Sequence, residues 1–326
     1  MATQRALAVA SPNIALLKYW GNRDARLRIP ANDSLSLTLS RLETRTSVQF
    51  DETLKSDQLI LNGVDAPDPS TRRAAGVLDV VRKISGRNEY ARIESENNFP
   101  MGAGIASSAS AYAALALAAS AAAGLRLEEQ ELSRLARLGS GSAARSVFGG
   151  YVVLHAGRDH DSAFAEQLFP CAYWPLVDVV AVVEQAQKEV GSTGGHELAP
   201  TSPLQQARIQ DSPRRLQLAR HAIEMKDFEL LAAVSELDSN MMHAVMLTSN
   251  PPLFYVSPAS LEIMLAVIRW RTAGDPVFYT LDAGPNVHCI TTPDFTPTLI
   301  SRLQQEQDVK QVLEAPMGNG AHLNPA

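Results

Sequence analysis

Pro100-Met101-Gly102-Ala103-Gly104-Ile105-Ala106-Ser107-Ser108-Ala109 is a small-residue loop that runs straight into an alanine-rich helix, Ser107 to Ala123, stopped by Gly124. Two glycines permit close backbone approach, and the free N–H groups and dipole of the helix start favour an anion. Ser107 and Ser108 can cap that helix and also offer hydroxyls to a phosphate or to Mg2+. The same residues would serve equally in a helix start that needs small side chains for packing. No Gly-Lys-Ser/Thr follows, so this is not a Walker loop.

Strands dominate before this loop and helices after it. Residues 5–17 read as an apolar strand entering a loop, and Ser34 to Leu39 alternates strictly, as a half-buried strand does. Thr44–Phe50, Gln58–Leu61 and Ala91–Glu96 add strands, with Asn62-Gly63 as a turn and a helix over Ser70–Ile84. Glu128–Leu138 is a further helix; Tyr151–His155 and Val177–Glu184 are β-rich. From about Gly191 helices are expected at Pro203–Glu224, Phe228–Met246 and Pro258–Thr272, the last opened by Ser257 as N-cap and Pro258 at the first helical position. Two strands, Val277–Asp282 and Val287–Thr291, flank a turn. The order fits an α+β protein rather than a strictly alternating doubly wound sheet. A chain of 326 residues exceeds what one core usually holds, so two closely packed lobes are expected, 1–186 and 187–326.

Composition excludes several classes. The net charge of -6 and the lack of a Lys/Arg-rich run argue against a nucleic-acid binder. The most apolar stretch, Ala109–Ala123, is shorter than the roughly 20 residues of a membrane span. Two cysteines make no disulfide framework, and residues 1–10 lack a signal-peptide pattern, so a reducing, cytoplasmic setting is expected. The histidines lack metal-ligand spacing, and no transition-metal site is expected.

Further clusters join the first loop. Gly139-Ser140-Gly141-Ser142 precedes Arg145 and makes a second nest of N–H and O–H donors beside a permanent, forked cation; a flexible linker is the plain alternative. Lys188 to His196 contains Gly191-Ser192-Thr193-Gly194-Gly195, again suited to phosphate. Asp282-Ala283-Gly284-Pro285-Asn286 reads first as turn chemistry, and Asn13, Lys18 and Tyr19 as a loop with one surface charge. Three Gly/Ser nests, a lysine, an arginine and a turn-borne aspartate together point to phosphoryl transfer to a small anionic substrate.

These residues resemble the diphosphomevalonate decarboxylase family. The resemblance runs through Pro12-Asn13-Ile14-Ala15-Leu16-Leu17-Lys18-Tyr19-Trp20-Gly21, Asn97-Asn98-Phe99-Pro100, the Ser-Ser helix start, and Gly139–Ser142 with Arg145-Ser146. It continues through Gly149-Gly150, Lys188, Ser192-Thr193, Asp238-Ser239-Asn240, His243-Ala244, Pro251-Pro252 and Asp282–Asn286, in order over nearly the whole chain. It implies the fold of the GHMP small-molecule kinases, with an N-terminal lobe like ribosomal protein S5 domain 2 and a ferredoxin-like, helical C-terminal lobe. It implies ATP and Mg2+ as cofactors, a phosphorylated mevalonate as the small-molecule partner, and a homodimer. The reaction implied is phosphorylation of the substrate's tertiary 3-hydroxyl, then loss of that phosphate with CO2 to leave an alkene.

By the same resemblance Asp282 contacts the 3-hydroxyl and Lys18 holds it ionised. Arg145 clamps the anionic substrate with Asn13, Tyr19, Ser140, Gly141 and Ser142. Gly102, Gly104, Ala106, Ser107 and Ser108 hold the nucleotide phosphates, with Ser107 or Ser108 near Mg2+; Ser192 approaches the γ-phosphate, and Asn97 and Asn98 lie near the nucleotide. The chain departs from the family at Asn22, where a lysine that helps bind the terminal diphosphate usually follows Tyr-Trp-Gly. It departs again at Gly191 and His196, at Asp33 within Asn32-Asp33-Ser34, and at Met101. Losing one charge-assisted hydrogen bond costs roughly 1.5–3 kcal/mol. The expectation is therefore a preference for 5-phosphomevalonate, giving isopentenyl phosphate. The alternative is the diphosphate, with His196 or another cation taking over; a kinase that stops after phosphorylation is a further one.

Overall fold

The computed structural model describes residues 5–99, 107–184 and 190–324. In chain order the first part holds β1 (Arg5–Ala10), β2 (Asn13–Leu17), β3 (Asn22–Asp24), β4 (Ile29–Pro30), β5 (Ser34–Thr38), β6 (Thr44–Asp51), β7 (Gln58–Leu61) and β8 (Val64–Asp65). Then come α1 (Asp68–Ser85), β9 (Tyr90–Asn97), α2 (Ser107–Ala122), α3 (Glu129–Gly139), α4 (Ala143–Ser146), β10 (Tyr151–Leu154) and β11 (Ala165–Phe169). The second part holds β12 (Val177–Val182), α5 (Ser192–Leu198), α6 (Gln205–Met225), α7 (Phe228–Leu247), α8 (Pro258–Thr272), β13 (Val277–Thr280), β14 (Val287–Thr291), α9 (Thr296–Leu303), β15 (Gln311–Pro316) and β16 (His322–Asn324).

One six-stranded sheet, ordered β16-β1-β6-β9-β7-β8, is covered by α1 and α2. A four-stranded sheet, β11-β10-β5-β2, carries the residues that lead to Lys18, and another, β13-β14-β12-β15, leads to Asp282. Helix α2 packs on β1 and β6 and also against α3 and α4. Its side chains are almost all Ala or Ser, so it is buried nearly all round and backbones approach closely. In α1 the buried Ala74, Val77, Leu78 and Val81 follow helical spacing, and Gly86 closes it in the left-handed region at φ 72°. Helix α3 opens with a reciprocal cap between Glu128 and Glu131, and its C-terminus at Gly139 points its last carbonyls towards the site. Among the described residues no helix is long and apolar enough to cross a membrane.

The second lobe follows the expected helices closely, and α8 spans the residues read from its Ser257 cap and Pro258. Sequence reading did not place α5, where it found a Gly/Ser/Thr cluster suited to phosphate, nor α9, β15 and β16. The last of these returns the C-terminus to pair with β1, Leu7 opposite Asn324.

Candidate active site

A cavity of about 270 Å³ is lined by Lys18, Tyr19, Arg28, Arg73, Ser107, Ser108, Ser140–Ser142, Arg145, Ser192, Thr193, His196 and Asp282. The protein is acidic overall, yet four of these side chains are Lys or Arg and one is a carboxylate. The site therefore concentrates positive charge against the overall field.

Strand β2 delivers Lys18 into the interior, where the side chain is 1% exposed. Its backbone is fixed from three sides. Its N–H donates to Asp238 Oδ1 at 2.7 Å, and its carbonyl accepts from Asn32 Nδ2 at 3.0 Å and Arg208 Nη2 at 2.7 Å. Asp238 also accepts from Arg215 Nε at 2.7 Å and carries Arg208 beside it at 3.4 Å. Removing one partner of such a buried pair costs about 3–5 kcal/mol, so this network fixes the lysine's position as well as stability. Lys18 Nζ donates to Asp282 Oδ1 at 2.7 Å. Burial pulls the ammonium below its ordinary value, although Asp282 opposes that. Burial alone would raise the Asp282 carboxyl, but Lys18, His288 and Arg145 outweigh it and hold the group below the usual carboxylate range. Asp282 is thus a carboxylate, open to the cavity at 26% exposure.

Arg145, on the single turn α4, is 3% exposed. It donates Nε and Nη2 to Asn13 Oδ1 at 3.1 and 3.0 Å, and Nη1 to Ser34 Oγ at 2.7 Å. Asn13 is itself held by its Nδ2, which donates to the Ser142 carbonyl at 3.1 Å and Ser146 Oγ at 2.8 Å. All these acceptors are neutral, and among the described residues no carboxylate lies within 4 Å of Arg145. Burial brings its value down to about 10, still a full cation at neutral pH.

Tyr19 donates its hydroxyl to Asn22 Oδ1, and burial pushes its value up to about 12, so it acts as a neutral hydroxyl. A Cβ on Gly141 would stand 2.2 Å from the Tyr19 ring, which is why glycine is required there. Ser108, Ser140 and Ser142 form a hydroxyl chain with Oγ–Oγ distances of 3.1 and 3.3 Å. Ser107 and Ser108 also line a second cavity of about 180 Å³ with Asn97, Tyr112 and Arg73, so the two cavities meet at the start of α2.

Several expectations are corrected. His196 is no replacement cation: its Nδ1 accepts the Gly21 N–H at 2.9 Å, and burial drives its value down to about 3, leaving it neutral against the Tyr19 and Trp20 rings. Asp33 is not among the residues that line the cavity, and its Oδ1 accepts the Ala156 N–H at 2.7 Å. Asn98 accepts from Glu43 N and donates to the Arg41 carbonyl, while its neighbour Asn97 lines the second cavity. Gly102, Gly104 and Ala106 lie outside the described residues, as does Lys188. Sequence reasoning missed Arg28 and Arg73, since arginines in polar stretches, with Arg23 and Arg26 before one and Arg72 beside the other, read as solvated charges. Only the positive φ of Arg28, 50°, sets it apart, and that is a structural fact.

Comparison with known proteins agrees in extent. Residues 10–165 match the family model for the diphosphomevalonate decarboxylase-like N-terminal domain, and residues 178–322 that for the mevalonate 5-diphosphate decarboxylase C-terminal domain. The chain is similar to a diphosphomevalonate decarboxylase of Aspergillus fumigatus, 40% identical over 308 residues, covering 86% of this chain and 75% of the relative. That of Saccharomyces cerevisiae is 39% identical over 307 residues, covering 88% and 77%. Among solved structures, mevalonate diphosphate decarboxylase from Staphylococcus aureus superposes with a TM-score of 0.94 at 38% identity, covering 99% of this chain and 98% of that one. The enzyme from Enterococcus faecalis gives 0.92 at 36% identity, with both chains covered completely. The two-lobed α+β architecture expected from the GHMP-type resemblance is the one these structures share. On domain matches that span both lobes, and on relatives alike over most of their length, the chain belongs to the diphosphomevalonate decarboxylase family.

Proposed function

We propose that the chain catalyses the ATP-dependent decarboxylation of 5-diphosphomevalonate to isopentenyl diphosphate, with ADP, phosphate and CO2 as the other products. One observation carries this reading: Asp282, kept ionised by Lys18, shares a cavity with Arg145, a buried cation that has only neutral partners among the described residues. A tertiary hydroxyl set against Asp282 donates its proton's hydrogen bond to the carboxylate, which orients the oxygen for attack on the γ-phosphorus. Lys18 limits the basicity of that carboxylate and neutralises charge as the proton moves. Once the 3-oxygen is phosphorylated, the C–O bond breaks towards phosphate, and the C–C bond to the carboxylate supplies the electron pair of the new alkene as CO2 leaves. Arg145 faces that carboxylate end and orients it, while the hydroxyl chain Ser108–Ser140–Ser142 supplies neutral donors to phosphate oxygens.

The nucleotide fits the start of α2, where Ser107 and Ser108 face both cavities. No group of three or more His, Cys, Asp or Glu side chains that could hold a metal stands among the described residues. That is compatible with Mg2+, which is commonly held by one or two protein oxygens together with substrate phosphates and waters. Mg2+ bound with ATP would neutralise phosphate charge, with the Ser107 or Ser108 hydroxyl as its protein ligand. A solved relative described as MDDEF in complex with MVAPP, AMPPCP and magnesium supports ATP and Mg2+ as the cofactors.

A specific observation favours a second reading, the monophosphate. Asn22 stands where the family's lysine is expected, and its carbonyl is occupied by the Tyr19 hydroxyl, while His196 is neutral. Against it, Arg28 and Arg73 bring two guanidinium groups to the cavity. Release of CO2 with ATP and Mg2+, from 5-diphosphomevalonate and from 5-phosphomevalonate at matched concentrations, decides between them. A higher kcat/KM for the diphosphate is expected. A preference for the monophosphate would install the second reading, and phosphorylated product without CO2 would make the protein a kinase.

A further inference from the structure

Building on the phosphorylated substrate proposed above, we infer that Arg28 is a substrate-binding residue which, with Arg73, grips the terminal phosphate and sets the preference for a diphosphate. The two arginines reach the cavity from separate elements. Arg28 sits in the turn of the β3–β4 ribbon and Arg73 on the first turns of α1. Each is anchored by its Nε, Arg28 to the Leu138 carbonyl at 3.1 Å and Arg73 to the next carbonyl, Gly139, at 2.5 Å. Both anchors are final carbonyls of α3, the negative end of that helix, which suits two cations side by side. Anchoring through Nε leaves the Nη forks for a ligand, and among the described residues neither guanidinium has a carboxylate within 4 Å. Two unpaired like charges repel one another, and that cost is offset when an anion of two or more charges lies between them.

The turn is built to present Arg28 despite strain. Its φ of 50° is a left-handed conformation that glycine and asparagine adopt most readily and a long side chain rarely does. The Asp24 carboxylate accepts from Leu27 N at 2.7 Å, and the buried Arg137 donates to the Leu27 carbonyl, so the surroundings hold the residue there. Arg73 is steadied by lying over the Tyr112 ring, 4.9 Å from its centroid. Arg28, Arg73, Tyr19 and the Ser140–Ser142 nest thus make a positively charged end to the cavity, and Lys18 with Asp282 another.

The test measures kcat and KM for 5-diphosphomevalonate, 5-phosphomevalonate and ATP, together with Tm, in wild type, Arg28→Asn and Arg28→Lys. Asparagine suits the left-handed turn, so Arg28→Asn keeps or raises Tm while removing the charge. The KM for the diphosphate then rises about ten- to a hundredfold, and the diphosphate-to-monophosphate ratio of kcat/KM falls about tenfold. The kcat stays within about threefold and Arg28→Lys lies between, as loss of binding shared by ground and transition states requires. An unchanged KM, an equal loss on both mevalonates, a rise confined to the KM for ATP, or a fall in Tm in both variants would each overturn the inference. If wild type releases no CO2 from either mevalonate, the proposed function fails by itself. Calorimetric titration with inorganic pyrophosphate then judges Arg28 alone: weaker binding to Arg28→Asn sustains it, and equal binding sinks it.

Discussion

The two ends of the cavity solve the problem of buried charge in different ways. At one end Lys18 is paired with Asp282, and the lysine backbone is locked by Asp238, Asn32 and Arg208. At the other, Arg28 and Arg73 lean on two helix carbonyls and have no carboxylate of their own among the described residues. Arg145 is intermediate, hydrogen-bonded through Nε and both Nη atoms yet only to neutral oxygens. The closed pair is a finished device, whose position and ionisation are set before any ligand arrives. The open pair is completed by the ligand, so it reports what the site is shaped to receive. Preorganisation belongs where bonds change; unpaired charge belongs where an anion is held.

The largest expected effect breaks the closed end. Asp282→Asn keeps the shape but leaves Lys18 without its counter-charge and the 3-hydroxyl without an anionic acceptor. CO2 release should fall by about 10²–10⁴-fold, the range of a lost general base, while ATP affinity, measured by titration, stays within a small factor. Near-normal turnover would remove Asp282 from the chemistry and leave the pair with a purely structural role.

A smaller effect is expected from charging the open end further. Asn22→Lys adds a cation beside the Tyr19 hydroxyl. It should shift the kcat/KM ratio towards the diphosphate by about one decade, as one charge-assisted hydrogen bond does. No shift would mean that Arg28 and Arg73 already satisfy the terminal phosphate; a shift the other way would mean that the hydrogen bond from Tyr19 to Asn22 matters more than the added charge.

The smallest effect concerns stability. His196 is held neutral at about 3, below its ordinary value, so the unfolded chain takes up its proton more readily than the folded one. Its contribution is fully present above about pH 6.5 and is lost as pH falls towards 3, by on the order of 2 kcal/mol between pH 6.5 and 5. His243, at about 4, acts in the same sense. In His196→Met the fall in Tm from pH 7.5 to pH 5 should be visibly shallower than in wild type. An identical fall in both proteins would show that this histidine is not buried neutral in solution.

The sequence by itself determined the local pieces. Helix α8 was legible from Ser257 and Pro258, α1 from the spacing of Val77, Val80 and Val81, and the α+β order from the succession of patterns. Motif context also singled out Lys18, Arg145 and Asp282, and the three do share one cavity. Only the tertiary structure decided the rest. Lys18 and Asp282 are 264 positions apart, and their 2.7 Å contact exists because β2 and β13 end on the same cavity. Strand β16 joins the first sheet through pairing with β1, which no local pattern records. His196 carries a titratable ring whatever its surroundings, and burial against Trp20 with the Gly21 N–H on Nδ1 made it neutral. Arg28 and Arg73 look in the sequence like ordinary surface charges, and became a pair because α3 ends between them. Propensity and capping act over a few residues and can be read along the chain. Charge pairing, burial and the ionisation that follows depend on distances through space, which the chain sets only once it has folded.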